Sequence, residues 1–303
     1  MSNHIEKNAG QLTPQSLFDY RCSQLTASSQ RAADLYNAGA KLWKKADLEE
    51  IEQQLAQSYD NENFTIRCFD GNIIHIKNPM FKVENPIWKP SVKFQGYWQL
   101  VFDPNPNSFP QTYLCSYFVK WENLIARHCG GQIENPGSLF RTAQRLWNDS
   151  MACKLFKAEI RNLVGARIVT KIICFGLGEF TQKVVEAIEG LTRTPWPDLE
   201  TKVMENRMIR HSVALTIAEE IRHATGSKAR LLAQDTFYTV NTRDILLENG
   251  FEIVGEFGAG GFAEIDRESV VFSASASTPV KQIIADIAHP VLIIQDGDTT
   301  GHL

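Results

Sequence analysis

The chain has 303 residues, of which 43% are hydrophobic and 22% charged, and its formal net charge is −4. These values are ordinary for a globular protein and exclude a chain that is basic throughout, although a local basic face is compatible with them. The six cysteines form no Cys-x-x-Cys pair, which argues against a zinc ribbon, a thioredoxin-like motif or a disulfide scaffold. No apolar run reaches the roughly eighteen residues of a membrane span and no signal peptide is evident, so we expect a cytoplasmic protein without a membrane partner.

The first part of the chain is predicted to be an extension of the main domain. Residues 1–30 are polar and poor in large apolar side chains, which predicts disorder. Residues 31–137 begin with apolar side chains at helical spacing and continue with β-branched and aromatic runs, which predict helices and then a β-rich module. Within it, Asp70-Gly71 predicts a hairpin with a type I′ turn. Trp88, Tyr97 and Trp98 are interpreted as packing residues in preference to base-stacking ones.

A long helix is predicted over residues 138–163. Lys154, Lys157 and Arg161 fall on one face of it. Residues 141–171 carry seven Lys or Arg against two Asp or Glu, so this segment has a net charge of +5 in an acidic protein. A solvated helix face is the simpler interpretation, and contact with an RNA backbone is the alternative.

Strands and helices alternate over residues 138–297, and residues 298–303 form a polar tail. The alternation predicts a doubly wound, Rossmann-like parallel sheet of five strands. Its first strand ends in Gly176-Leu-Gly178, and we expect a helical piece at 182–189, an irregular insertion at 191–199 and a helix from about residue 206. The other strands are predicted at 229–234, 251–256, 269–273 and 291–295. The first and fourth strands would be neighbours, so loops 176–181 and 273–278 should form a cleft.

A dinucleotide or adenosyl cofactor is the first ligand to consider for this cleft. Gly176 and Gly178 begin a glycine fingerprint, and Asp235 ends the second strand, where an acid can bind a ribose. However, Thr181 stands at the third glycine position, and Asp235 lies far beyond the roughly 20-residue spacing of the fingerprint. A tightly bound NAD is therefore disfavoured.

Acyl transfer is the second kind of chemistry to consider. Ser273, Ser275 and Ser277 leave a buried strand before a helix N-terminus, where backbone N–H groups could hold an oxyanion, although loop and capping roles are the simpler interpretation. Tyr238 should lie beside the cleft. His211 is a candidate base, and an exposed position at a helix start is its simpler interpretation. No pair of histidines has metal-ligand spacing, so no metal is predicted.

Two carboxylates, Glu179 and Asp235, would make the cleft acidic. A carboxylate directly after Gly-Leu-Gly repels phosphate, whereas paired carboxylates suit an amine or a guanidinium. Exposure of one or both to water is an equally weighted alternative.

Six short segments carry a resemblance to a known domain family: Ile173–Gly178, His211–Ile217, Gln234–Phe237, Leu246–Gly250, Val270–Ser273 and His289–Ile294. With these segments the chain resembles, over about residues 140–297, the Sensitivity to Red Light Reduced (SRR-like) domain family. It departs from the family where Asp235-Thr236 stands in place of Asp-Pro, and where Ser-Ala-Ser-Ala-Ser replaces a segment with proline and histidine.

The resemblance implies one of two functions. Plant, yeast and animal members look like regulatory proteins. A fungal branch looks like arginine-containing cyclodipeptide synthases of secondary metabolism, transferases that condense arginyl-tRNA with a second aminoacyl-tRNA to a diketopiperazine. The extension before residue 140, the insertion and the departures favour the fungal branch.

For that activity we expect no cofactor and no DNA partner, because an aminoacyl ester is already activated. Glu179 and Asp235 would recognise the guanidinium, with Gly176, Gly178 and Phe237 around the substrate. Ser273, Ser275, Tyr238 or His211 would assist acyl transfer, and Lys154, Lys157 and Arg161 would meet tRNA phosphate. A non-enzymatic SRR-like regulator and a nucleotide- or adenosyl-cofactor enzyme are the alternatives.

Overall fold

The computed structural model describes residues 14–102, 112–125, 131–183 and 196–295. Within these ranges, no helix combines the length and the apolar character that crossing a membrane requires. The elements up to residue 125 are α1 (Pro14–Asn37), α2 (Lys45–Ala56), β1 (Asn63–Arg67), β2 (Ile73–Lys77), β3 (Trp88–Phe94), α3 (Tyr97–Val101) and β4 (Tyr117–Asn123). The elements after it are α4 (Pro136–Asp149), α5 (Met151–Val164), β5 (Lys171–Phe175), α6 (Trp196–Thr225), β6 (Arg230–Gln234), α7 (Val240–Glu248), β7 (Phe251–Ile253), α8 (Gly260–Ala263), β8 (Ser269–Ser273), α9 (Val280–Ile287) and β9 (Leu292–Gln295).

A five-stranded parallel sheet in the order β7-β6-β5-β8-β9 forms the centre of this α/β protein. Helices cover the sheet, so its strands are apolar runs rather than alternating ones. The central strand β5 pairs with β6 on one side and β8 on the other, and Phe175 at its end is level with Gln234 and Ser273. The five predicted strands, and the predicted adjacency of the first and fourth of them, are confirmed, although β7 ends at Ile253 and not at residue 256 as predicted.

The two faces of the sheet belong to two hydrophobic cores. Because side chains alternate along a strand, Ile172 and Cys174 of β5 enter one core and Ile173 and Phe175 the other. The first core contains buried side chains of α4, α5, α6 and α7. The second contains buried side chains of α2, α8 and α9 and of the N-terminal strands.

The N-terminal region consists of helices and two antiparallel strand pairs, β1-β2 and β3-β4. Helix α2 forms because Leu48, Ile51 and Leu55 recur at helical spacing and are fully buried. The indole N–H of Trp43, also buried, donates to the Ser116 carbonyl at 3.1 Å. This helical and β-rich extension therefore shares one hydrophobic core with the parallel sheet.

The structure corrects the disorder predicted for the start of the chain. Residues 14–30 belong to α1, while residues 1–13 lie outside the described residues. The C-terminal end of α1 is held by tertiary packing: Ala32 is fully buried, and the ring of Tyr36 stacks on Tyr97 with 4.3 Å between centroids. Polar composition alone does not indicate such an anchor. The tail at 298–303 also lies outside the described residues.

Two of the predicted helices have different bounds. The long helix expected over 138–163 is divided into α4 and α5, because Ser150 adopts an extended conformation and its hydroxyl caps α5 by accepting from Cys153 N at 3.0 Å. Helix α6 begins at Trp196, ten residues before the predicted start. Gln182 forms a β-bridge with Gln132, so the predicted helical piece does not begin there. Most of that piece, and the insertion up to residue 195, lie outside the described residues.

The hairpin predicted around Asp70-Gly71 is confirmed by the pairing of β1 with β2. Its turn is longer than a type I′ turn, because Arg67 pairs with Ile73 and the residues between them form the connection. Gly71 has a positive φ of 89°, whereas Asp70 does not adopt a positive φ. A type I′ turn needs both, so that part of the prediction is wrong.

Candidate functional site

The loops after β5 and β8 lie against each other at the carboxyl edge of the sheet. Ala274 N donates to the carbonyl of Phe175 at 3.1 Å, which ties the ends of the two strands together. Gly176 has a φ of 66°, and a Cβ on it would lie 2.5 Å from the backbone nitrogen of Ala276. Only glycine permits this approach. The predicted meeting of loops 176–181 and 273–278 is confirmed.

A pocket of about 110 Å³ opens at this junction, and we call it the carboxyl-edge cleft. Half of Phe237 is exposed there, and the Lys120 ammonium lies 5.9 Å from its ring centroid. Lys120 also pairs with Glu122 at 2.6 Å. The polar and aromatic residues of the lining include Lys120, Gln234, Asp235, Phe237, Ser275 and Ser277.

Asp235 connects the loop after β6 to the glycine loop after β5 on one side of the cleft. Its Oδ2 accepts a hydrogen bond from Gly178 N at 3.1 Å, and its Oδ1 accepts one from Phe237 N at 2.9 Å. The carboxylate is half-buried and lines the cleft. Asp235 therefore holds the glycine loop in place and presents a negative charge at the pocket wall.

Glu179 does not face the cleft, which corrects the role predicted for it. Its side chain is buried, and its Oε1 accepts from Thr181 N at 2.6 Å, Thr181 Oγ1 at 2.8 Å and Thr242 Oγ1 at 2.6 Å. Its Oε2 accepts from Thr239 N at 2.7 Å. A buried carboxylate that already accepts four hydrogen bonds has little capacity left for a ligand guanidinium.

Arg207 of α6 lies beside this pair of carboxylates and was not identified from the sequence. Its stem packs on Gly178, where an added Cβ would lie 2.8 Å from Arg207 Cγ, and its Nη1 donates to the Glu179 carbonyl at 2.8 Å. Burial lowers the pKa of the Arg207 guanidinium, and the charges of Asp235 and Glu179 oppose that shift. A positive charge that the sequence did not indicate thus lies near both carboxylates. Its signal in the sequence is its place one turn before His211.

His211 and Tyr238 form a hydrogen-bonded pair inside the core, not at the cleft surface. Both are buried, and His211 Nε2 lies 2.9 Å from the Tyr238 hydroxyl. His211 Nδ1 lies 2.7 Å from the Arg207 carbonyl, which only accepts, so Nδ1 carries the proton and Nε2 accepts from Tyr238. The expectation of an exposed histidine at a helix start is wrong, because α6 begins well before it.

Burial sets the protonation of this pair. It lowers the pKa of His211 to about 4 and raises that of Tyr238 well above its usual value. The ring of Phe180 meets the imidazole edge-on with 4.9 Å between centroids. In the part of the chain that the structure describes, neither residue hydrogen-bonds to a serine of the 273–277 loop. The pair is therefore a buried structural unit in this conformation and not a base beside a nucleophile.

The candidate serines differ in their exposure. Ser273 is the last residue of β8 and is buried, whereas Ser275 and Ser277 are exposed in the loop and line the cleft. Pro279 stands at the N-cap of α9, so the hydroxyls precede the helix without capping it. Of the three candidate serines, Ser275 and Ser277 are thus the ones that a ligand in the cleft can reach.

The predicted basic face is largely engaged within the protein. Lys157 pairs with Glu219 at 3.2 Å and with Glu220 at 3.7 Å, and Arg161 pairs with the buried Glu220. Lys154 is exposed. These contacts exist because α5 packs against α6. The side chain of Arg161 stays 55% exposed, so contact of this face with a tRNA backbone stays a prediction.

A second glycine loop, residues 255–261, borders the cleft and is held by side chains that the sequence did not indicate. Gln234 donates to the Gly258 carbonyl at 2.8 Å and accepts from Gly261 N at 2.6 Å. Glu52 of α2 accepts from Phe257 N, Ala259 N and Gly260 N at 2.9–3.0 Å. A carboxylate of the N-terminal region therefore fills a nest of backbone N–H groups that would otherwise attract an anion.

Comparison with protein-family models, with curated proteins and with solved structures found no match. Among the described residues, no group of His, Cys, Asp and Glu side chains is arranged to hold a metal ion. Any functional assignment rests on the geometry of the cleft and on the sequence resemblance given above.

Proposed function

We propose that the carboxyl-edge cleft is the ligand site of a doubly wound, Rossmann-like sheet. The distribution of helices supports this, because α6 and α7 contribute to the core on one face of the sheet while α8 and α9 contribute to the other. In such a fold, ligands bind where the connections from two neighbouring strands diverge at the carboxyl edge. β5 and β8 are those strands here.

For this site we propose the aminoacyl-tRNA-dependent synthesis of an arginine-containing cyclodipeptide, the activity that the SRR-like resemblance implies. The single observation that carries the proposal is the contact of the Gly176 loop with the Ser275 loop beside Asp235. Exposed hydroxyls and a carboxylate meet there at a narrow pocket. Acyl transfer from an activated ester needs such groups and no metal or nucleotide.

The chemistry at the cleft uses fewer residues than the sequence suggested. Asp235 would bind the guanidinium or the α-ammonium of an aminoacyl group, because Glu179 is occupied internally. Ser275 or Ser277 would accept the first acyl group and release the tRNA hydroxyl. The α-amine of the second aminoacyl-tRNA would then attack that ester, which forms a dipeptidyl-tRNA and restores the serine hydroxyl. The free α-amine of the dipeptide would attack its own ester to the second tRNA, and ring closure would release the diketopiperazine and that tRNA.

The experiment is to incubate the purified protein with charged tRNAs and to search for cyclo-Arg-Xaa by mass spectrometry. Product should form with wild-type protein, and the double change S275A/S277A should abolish it while leaving thermal stability unchanged. Asp235→Asn should reduce it at least tenfold. Absence of product from arginyl-tRNA with every partner aminoacyl-tRNA would refute the proposed activity.

A non-enzymatic regulator is the second candidate, and a specific observation favours it. Glu179, His211 and Tyr238 are all engaged with internal partners, and the pocket is small. A regulator would bind an amino acid or another small metabolite without turnover. Two results together would favour this candidate. Calorimetry would show that the wild-type protein binds arginine and that Asp235→Asn does not, and charged tRNAs would give no cyclic product.

A nucleotide- or adenosyl-cofactor enzyme has less support. The glycine fingerprint of dinucleotide-binding sites requires a helix directly after the glycine loop, so that the N-terminus of that helix meets the phosphates of the cofactor. Residues 176–183 are not helical, and Thr181 and Gln182 instead pair with the 132–133 segment.

A further inference from the structure

Two thiols lie in contact within the N-terminal region, outside the carboxyl-edge cleft. The sulfur atoms of Cys68, in the turn after β1, and Cys115, shortly before β4, are 3.2 Å apart, and both residues are buried. Neither forms a disulfide bond in this structure. Cys153 in α5 and Cys174 in β5, which are also buried, lie in other elements of the described chain.

The backbone around the two thiols is already fixed in a geometry that brings them together. Phe69 N donates to the Leu114 carbonyl at 2.7 Å, so the segments that carry Cys68 and Cys115 are paired at the adjacent residue. Cys68 N donates to Asn72 O at 2.8 Å, and the side chain of Gln95 donates to Cys115 O at 2.9 Å. A disulfide needs a sulfur separation of about 2.05 Å, so the sulfurs need to approach by roughly 1 Å.

The contact also distinguishes the two sulfurs chemically. With Cys115 as the donor, its hydrogen bond lowers the pKa of Cys68, and the same bond together with burial raises the pKa of Cys115. The thiolate is the nucleophile in thiol–disulfide exchange. Cys68 is also the only one of the two with any exposed surface, 6% against 0% for Cys115, so it is the sulfur that an external disulfide reaches first, and Cys115 is the resolving one.

We propose that Cys68 and Cys115 form a reversible dithiol–disulfide pair that links the β1-β2 hairpin to the segment leading into β4. The oxidant is a small disulfide of the glutathione class. The Cys68 thiolate attacks one of its sulfurs and displaces one thiolate, which gives a mixed disulfide. Cys115 then loses its proton, attacks Cys68 and displaces the second thiolate. The protein loses two protons and two electrons, and the small disulfide takes them up to give two thiols.

A disulfide between Cys68 and Cys115 would close a loop between positions 47 residues apart. The sheets of this region, β1-β2 and β3-β4, have only two strands each. A covalent bond across that loop restricts the unfolded chain, and we expect the midpoint of thermal unfolding to rise by roughly 5–10 °C on oxidation. Because the N-terminal region shares its core with the sheet, the shift should appear in the unfolding of the whole chain.

The experiment titrates the full chain with oxidised and reduced glutathione, blocks remaining thiols by alkylation in denaturant and maps the products by peptide mass spectrometry. Wild-type protein should yield one linked peptide pair, 68–115, which reductant reverses. Cys153→Ser provides a matched control that removes a buried thiol elsewhere, and it should give the same linkage at the same glutathione ratio.

Two variants separate this linkage from other oxidation. Cys115→Ser should stop at a glutathione adduct on Cys68, and Cys68→Ser should form neither that adduct nor the linked pair; circular dichroism establishes that both fold. A linked pair that involves any other cysteine would overturn the proposal. So would a wild-type protein that keeps both thiols alkylatable when a surface dithiol peptide in the same buffer is fully oxidised.

Discussion

The Tyr238 hydroxyl donates to Nε2 of His211 across 2.9 Å, and the other imidazole nitrogen donates to the Arg207 carbonyl at 2.7 Å. These contacts connect α6 to the start of α7 through the buried interior. They fix one tautomer of a neutral histidine, and they place Arg207 one helical turn away against the glycine loop of the cleft. The His211–Tyr238 pair thus supports, through Arg207, the glycine loop that carries Gly178.

Replacing Tyr238 with Phe should destabilise the protein without a large structural change. The substitution removes the donor and leaves a buried Nε2 without a partner, which costs about 1–3 kcal/mol. Chemical denaturation measures the change. Tyr59, which is exposed, is the matched control, and Tyr59→Phe should change the unfolding free energy by less than about 0.5 kcal/mol. Equal effects of the two substitutions would contradict the buried hydrogen bond.

Stability should fall as the pH is lowered through the range between the unfolded and folded pKa values of His211. The folded pKa is about 4, below the ordinary value of 6.5, so the unfolded chain binds a proton first as the pH drops. The contribution of neutral His211 to the free energy of unfolding is complete above pH 6.5. It is lost progressively as the pH falls to about 4, and the total loss is about 3 kcal/mol. Urea denaturation at a series of pH values measures this slope.

A variant comparison identifies the residue responsible for that slope. His211→Gln should flatten the pH dependence between 6.5 and 4, although it lowers stability at neutral pH. His223, exposed near the end of the same helix, is the control, and His223→Gln should leave the slope as in the wild type. A slope that persists in His211→Gln would show that other groups cause it.

Gly176→Ala should be more costly than a glycine substitution that is strained by its backbone alone. A Cβ at position 176 would overlap the backbone of the serine loop, 2.5 Å from Ala276 N, in addition to its unfavourable φ of 66°. Gly226 has a similar φ of 73° with nothing within 4 Å of its Cβ position, so Gly226→Ala isolates the backbone strain. We expect about 1 kcal/mol for Gly226→Ala and at least about 2 kcal/mol for Gly176→Ala by chemical denaturation. Equal costs would mean that the two loops are not in contact.

Glu52→Gln should weaken the attachment of the second glycine loop. The substitution removes the charge that accepts from Phe257 N, Ala259 N and Gly260 N, and it replaces one acceptor oxygen by a donor that faces those N–H groups. A loss of about 1–3 kcal/mol is expected by denaturation, with faster amide exchange at residues 257–260. Glu49 is exposed on the same helix, and Glu49→Gln should change neither quantity.

The parts of the fold that could be predicted are those whose signal lies within a few neighbouring residues of the sequence. β8, Ser269–Ser273, was predicted with its observed bounds, because a continuous apolar run before a polar loop is a local signal of a buried parallel strand. The neighbouring positions of β5 and β8 followed from the regular alternation of elements. The meeting of the two loops followed in turn, because neighbouring parallel strands end at the same edge.

The details of the candidate site depended on residues distant in the chain and could not be predicted in this way. Glu179 was assigned to the cleft wall, yet Thr239 and Thr242, about sixty positions later, enclose its carboxylate. Arg207 was not identified, because only the folded helix α6 brings it to Gly178. Residues that meet only through tertiary packing, as Arg207 and Gly178 do, give no periodic pattern in the sequence from which the contact could be predicted.

The shared core has a practical consequence for anyone who shortens the chain. More than half of the buried side chains in the core that contains Ile173 and Phe175 come from before residue 125. One of them is Phe94, whose ring contacts Phe262, and Phe262 in turn stacks on Phe175. A fragment trimmed to residues 138–297 would lose that part of the core and expose the remaining apolar side chains to water. Such a fragment should precipitate on expression, whereas co-expression with the missing piece should rescue its yield.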